Sequence, residues 1–137
     1  MKKYLSLLLA FTLLCSCVFS YAIAEQRSSN YFTSYGTSAS AIGNGQIYIT
    51  FKTVGTTICD QLGVANYHVE KLNDAGEWVN VSGSLSGQTG TNVASYCFGR
   101  VFQGVPGETY RIQVTFYCLI GTGSEHKSYT SGRVTAN

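Results

Sequence analysis

The stretch that most constrains this chain is Val105-Pro106-Gly107-Glu108-Thr109-Tyr110-Arg111-Ile112-Gln113-Val114-Thr115-Phe116-Tyr117-Cys118. Pro106 presets φ for a turn and Gly107 relaxes it. Beyond the turn, Tyr110, Ile112, Val114 and Phe116 fall on one side of a pleated strand, and Arg111, Gln113, Thr115 and Tyr117 on the other. A half-buried strand entered through Pro-Gly-x-x-Tyr is the pattern of a tyrosine corner, in which the phenol bonds back to the upstream turn and pins a connection between two sheets. A chain that contains such a strand has to supply a second layer to cover its apolar side.

The rest of the sequence offers more strands. Residues 30–42 are Tyr, Ser, Thr and Gly with little charge and read as an irregular first strand. Gly43-Asn44-Gly45 is a hairpin-type turn, after which Ile47, Ile49 and Phe51 alternate with polar neighbours. Residues 53–62 carry Gly55, several threonines, Cys59 and Asp60, and read as a loop. Residues 65–72 form a strand, Asn73-Asp74-Ala75-Gly76 a hairpin connection and residues 77–81 its returning partner. Residues 82–92 read as a polar loop with a weak edge strand, and 93–102 as a strand with Gly99 marking a bulge. A glycine-rich connection at 119–124 leads to a last strand over 127–136. No segment is helical in period, so the expected architecture is an all-β antiparallel sandwich of about seven strands, with a closed barrel as the alternative.

Ahead of this domain, Lys2 and Lys3, an apolar run from Leu5 to Leu14 and Ala22-Ile23-Ala24 have the form of a secretory signal peptide. The run is shorter than the roughly 20 residues a membrane span needs. Cleavage there leaves residues 25–137 as a single domain. Leu14-Cys15-Ser16-Cys17 also has the shape of a lipoprotein signal, so a lipid anchor at Cys17 stands beside free secretion. The leader takes Lys2 and Lys3 from the nine basic side chains and leaves seven against seven acidic ones. Such a neutral surface, with no Lys/Arg run, argues against nucleic acid and against an anionic membrane. Cys59, Cys97 and Cys118 remain, an odd number for an oxidising compartment.

Two stretches resemble a known fold family. Ala65-Asn66-Tyr67-His68-Val69-Glu70-Lys71 with Glu77-Trp78-Val79-Asn80-Val81 resembles the third strand and hairpin partner of a fibronectin type III domain. Val105 to Val114 resembles its sixth strand with the tyrosine corner, although Gly104 replaces the leucine usual six residues before that tyrosine. Together with Cys-Asp-Gln-Leu-Gly-Val-Ala-Asn-Tyr and the Lys-Ser-Tyr-Thr-Ser-Gly ending, the chain is similar to an uncharacterised family of small secreted proteins of Gram-positive bacteria, for which no activity is implied. The sandwich implied by this resemblance sets the loops after the second and sixth strands at one end and brings Cys59 to Cys118 as the expected disulfide. Cys59 with Cys97 is the rival pairing.

Candidate chemistry is sparse. His68 with Cys97 or Cys118 has the residue types of a thiol nucleophile and base, but a His on the polar face of a strand is more often solvated. His126 and Glu125 near Cys118 match no zinc spacing, and the carboxylates are scattered. No enzyme, cofactor or metal is expected. The aromatics say more: Tyr48 and Tyr117 fall out of phase with the core residues of their strands, and with Trp78 and Tyr35 they form the candidate binding surface for an extracellular glycan or protein. They serve equally well as cross-strand pairs stabilising a solvated sheet. The expectation is a secreted, non-catalytic binding module. The alternative is a self-associating structural protein of the cell surface, joined through edge strands or Cys97.

Overall fold

The computed structural model describes residues 29–137. The expected leader, its expected cleavage site and Cys17 lie outside the described residues. Eight strands form one antiparallel sheet: β1 (Phe32–Gly43), β2 (Gln46–Leu72), β3 (Trp78–Asn80), β4 (Leu85–Ser86), β5 (Thr89–Gln103), β6 (Thr109–Ile120), β7 (Gly123–Thr130) and β8 (Val134–Thr135). The sheet is curled over on itself by β2, which serves two layers. Its residues 46–54 pair with β1 on one side and β5 on the other. Its residues 61–71 pair with β6, and β3 and β4 lie along its other edge. β7 and β8 follow one another along the far side of β6. The path is open, β1-β2-β6-β7, so the structure is an antiparallel β-sandwich and not a closed barrel.

The alternation in the sequence explains the core. Ile47, Ile49 and Phe51 enter from the first layer, and Tyr67, Val69, Ile112, Val114 and Phe116 from the second, all buried. Phe51 stacks on Phe98 within the first layer and meets Tyr67 across the interface, with ring centroids 4.8 Å apart in both cases. The corner at Tyr110 is formed: the phenol is buried, and its oxygen accepts a hydrogen bond from the Val105 N–H at 2.8 Å. Gly104 belongs to this corner. A Cβ there would lie 2.9 Å from the Tyr110 ring, so the side chain usual at this position has given way to the phenol itself.

Three expectations are corrected. Residues 53–62 are not a loop but the middle of β2. Here β2 leaves the first layer for the second, and residues 59–63 still have β5 residues 89–93 as partners. The polar composition reflects the exposed Thr56, Thr57, Asp60 and Gln61 on the outside of the bend. Gly99 makes no bulge: it stays in register opposite Thr50, and it is glycine because a Cβ would lie 2.1 Å from the Tyr48 hydroxyl. The last strand is split into β7 and β8 at Ser131, which turns inward to bond the backbone of Ile112.

One irregularity decides what faces outward. Between Val64 and Asn66 the register with β6 slips by one residue, a bulge at Ala65. Leu62 and Val64 before it and Tyr67 and Val69 after it therefore all point into the core. Asn66, His68 and Glu70 are turned to the outer face beside the outward residues of β6.

Candidate binding face

On that outer face Arg111, Gln113, Thr115 and Tyr117 of β6 stand between β2 and β7, since Ile112, Val114 and Phe116 are committed to the core. Cross-strand register sets Glu70 beside Arg111, His68 beside Gln113 and Asn66 beside Thr115. On the other flank Thr130 lies beside Gln113 and His126 beside Tyr117.

Glu70 is the hub. Its Oε2 accepts hydrogen bonds from Arg111 Nε and, at 3.4 Å, from Gln113 Nε2, while its Oε1 lies 3.4 Å from His68 Nε2. Its side chain is only 15% exposed. Burial works against the charge, yet the hydrogen bonds from Arg111, His68 and Gln113 and the Arg111 charge outweigh it and hold the carboxyl below the usual carboxylate range. The Gln113 amide oxygen accepts from Thr130 Oγ1 at 2.8 Å, so the chain of bonds crosses three strands. At its other end the Arg111 guanidinium lies 4.3 Å from the centre of the Trp78 ring, with Arg133 at 5.5 Å. Beside this ladder is a shallow depression of about 170 Å³ lined by Asn66, His68, Gln113, Thr115 and Ser128. Glu70, Arg111, His68 and Gln113 are bonded to one another, while Asn66, Thr115 and Ser128 leave neutral polar groups along the depression.

The four aromatics expected to form a surface do not converge. Trp78 and Tyr117 share this face but lie at opposite ends, since Arg111, which covers Trp78, is six residues from Tyr117, about 20 Å along the strand. Tyr117 is half-buried and packs on His126 with centroids 4.8 Å apart. Tyr48, 42% exposed, is on the outer face of the other layer, lying over Gly99. Tyr35 packs among Phe32 and Phe116, 5.3 and 5.4 Å away, as part of the core edge. Sequence reasoning placed Arg111, Gln113, His68 and Glu70 on polar strand faces without seeing that they meet. Alternation within each strand is legible, but the pairing of one with the other depends on the bulge at Ala65.

The other candidate chemistry is taken apart by the fold. Cys118 points into the core while His68 is outward, so they occupy opposite faces of the layer, and Cys97 is exposed on the outer face of the other layer. Glu125 is beside Cys118 in register but bonds Lys127 at 2.7 Å and the Ser29 hydroxyl at 2.7 Å, and His126 turns to Tyr117. Among the described residues no three His, Cys, Asp or Glu side chains are grouped to hold a metal ion, and no helix is long and apolar enough to cross a membrane.

Cys59 and Cys118, the pair expected to form the disulfide, are brought together, both fully buried, but are not at bonded distance. The Cys118 Sγ donates to the Cys59 Sγ at 3.1 Å, well beyond the ~2.05 Å of a bond. Cys59 in turn donates to the Thr57 carbonyl at 3.4 Å. Burial, the bond to Cys59 and the nearby Glu125 charge push the Cys118 thiol up to about 12, so it is un-ionised at neutral pH. The rival pairing with Cys97 is not formed.

No family model, no curated protein and no solved structure matches this chain.

Proposed function

We propose that the protein is a secreted, non-catalytic binding module that holds an extracellular glycan across the outer face of β2, β6 and β7. One observation carries this reading: the Glu70 carboxylate, mostly buried yet on an outer face, is fixed by Arg111, His68 and Gln113 into a ladder that ends on Trp78 and borders a polar depression. Preformed donors and acceptors beside an aromatic ring are what a sugar requires, because few rotamers are then left to freeze on binding. Fibronectin type III-like organisation agrees with the pairing of β1, β5 and the first half of β2 in one layer and of β3, β6, β7 and the second half of β2 in the other. In an oxidising compartment Cys59 and Cys118, which the fold sets side by side, would be joined during folding as the cross-layer disulfide. The alternative, a self-associating or lipid-anchored surface protein, draws on a different element, the free edge of β5.

The test is a screen of neutral and acidic oligosaccharides by amide-proton chemical-shift perturbation. The expected outcome is perturbation confined to residues 66–70, 111–117 and 126–130 by a hydroxyl-rich ligand, with Gln113→Ala weakening binding by about tenfold, or roughly 1.4 kcal/mol. Shifts scattered over both layers, or none with any glycan, would end the reading.

A further inference from the structure

The two layers do not protect their edges equally. β7 carries the Glu125–Lys127 ion pair, and β3 is only three residues long. β1 leans toward β7, where a methyl group on Gly36 would sit 3.8 Å from the Tyr129 hydroxyl. β5 has no such cover. It spans 15 residues, pairs only with β2 among the described strands, and contains no Lys, Asp, Glu or Pro. Its one charge, Arg100, is folded back: Nη1 donates to the Gly99 carbonyl at 3.0 Å, Nη2 to Gln88 at 2.8 Å, and the guanidinium covers the Phe98 ring at 4.9 Å. A long strand edge without these guards is a template for another strand.

We infer that β5 is a homodimer interface, pairing antiparallel with β5 of a second copy about a two-fold axis at Cys97. The register follows from the side chains. An axis at Cys97 sets Val101 opposite Val93, Ser95 opposite Gly99, Tyr96 opposite Phe98 and Arg100 opposite Ala94. Val101 is 55% exposed in the single chain and stands beside Tyr48, so an apolar pair lies in the outward row of this edge. An axis at Arg100 would oppose like charges. An axis at Gly99 would set Arg100 against Phe98 and Cys97 against Val101. The chosen axis also opposes two exposed Cys97 side chains, each in the outward row of its strand. The contact is isologous and closes at two copies. It leaves the outer face of β2, β6 and β7 free on each copy, so it stands or falls independently of the glycan reading.

The test uses the full secreted chain. Light scattering coupled to size exclusion, in reductant at high micromolar concentration, is expected to report a dimer. With oxidised glutathione, the two opposed Cys97 thiols lose two protons and two electrons to form one interchain disulfide, and the oxidant leaves as two molecules of reduced glutathione. Moving the thiol with Cys97→Ser/Ser95→Cys is expected to abolish this crosslink while the non-covalent dimer persists, because the two sulfurs then lie about four residues, ~13 Å, out of register. Ser95→Lys/Val101→Lys, both at exposed positions, is expected to give a monomer with unchanged circular dichroism. The inference is overturned by a monomeric wild-type chain, by equal crosslinking from position 95, or by a mass that rises past the dimer with concentration, which would mean head-to-tail pairing of β5 with β1.

Discussion

At the scale of single residues, two contacts carry consequences that can be measured. The Tyr110 hydroxyl accepts the Val105 N–H at the corner, and Tyr110→Phe removes that acceptor while keeping the buried ring. The expected cost is about 1 kcal/mol in denaturant unfolding, the usual net worth of one hydrogen bond. Glu70 carries a pH signature. Its carboxyl is held below its unfolded value, so its contribution to stability is fully present above that value, near ~4.3, and is lost as pH falls through the folded one. Urea midpoints taken from neutral pH down to strong acid should therefore fall more steeply for the wild-type chain than for Glu70→Gln. Parallel slopes would mean that the Arg111, His68 and Gln113 contacts do not favour the ionised form. Tyr110 was legible from its Pro-Gly-x-x-Tyr context alone, because a local turn fixes the geometry. Glu70 was not, because Arg111 and Gln113 come from another strand and only His68, two residues away on the same face, is a local neighbour.

At the scale of elements, β2 is the strand on which both layers depend. Polar residues across 53–62 suggested an interruption, but a strand that crosses between layers exposes one side of its bend, and the backbone there still finds partners in β5 and β6. The single extra residue at Ala65 lets Val64 and Tyr67 both face inward. Deleting Ala65 removes the extra residue and restores a regular period of two in which Leu62, Val64, Tyr67 and Val69 all still face inward, with Asn66 opposite Thr115 and Tyr67 opposite Val114. The expected result is a chain that keeps the native near-ultraviolet dichroism, and loss of that signal would show that the two layers need the bend the bulge provides. The bulge itself has no sequence signal, since Gly63-Val64-Ala65-Asn66 is compatible with a regular strand.

For the molecule as a whole, the buried thiol pair bears on when a disulfide could form. With the Cys118 thiol raised to about 12 and both sulfurs fully buried, exchange on the folded chain lacks a Cys118 thiolate and lacks access. Reduced, folded protein is expected to resist oxidised glutathione at Cys59 and Cys118 at pH 8, whereas refolding in the same buffer should yield a chain lighter by two hydrogens with those residues linked in peptide maps. Rapid oxidation of the folded protein would show that the core opens readily. Once formed, the crosslink would contribute about 4 kcal/mol by the chain-entropy account.

What the sequence by itself determined is the class of fold and most of its strands. Alternation of apolar residues, turn glycines and the corner tyrosine act over a few neighbouring residues, and local chemistry is enough to read them. The sequence also showed which side of β6 is polar. Only the tertiary structure decided that Glu70 meets Arg111, that Trp78 lies under that same arginine and that Tyr48 and Tyr117 are on opposite outer faces. Those relations depend on cross-strand register, and register here is set by a one-residue slip at Ala65 and by the passage of β2 from one layer to the other, features that arise from packing the two layers together rather than from any local preference of the chain.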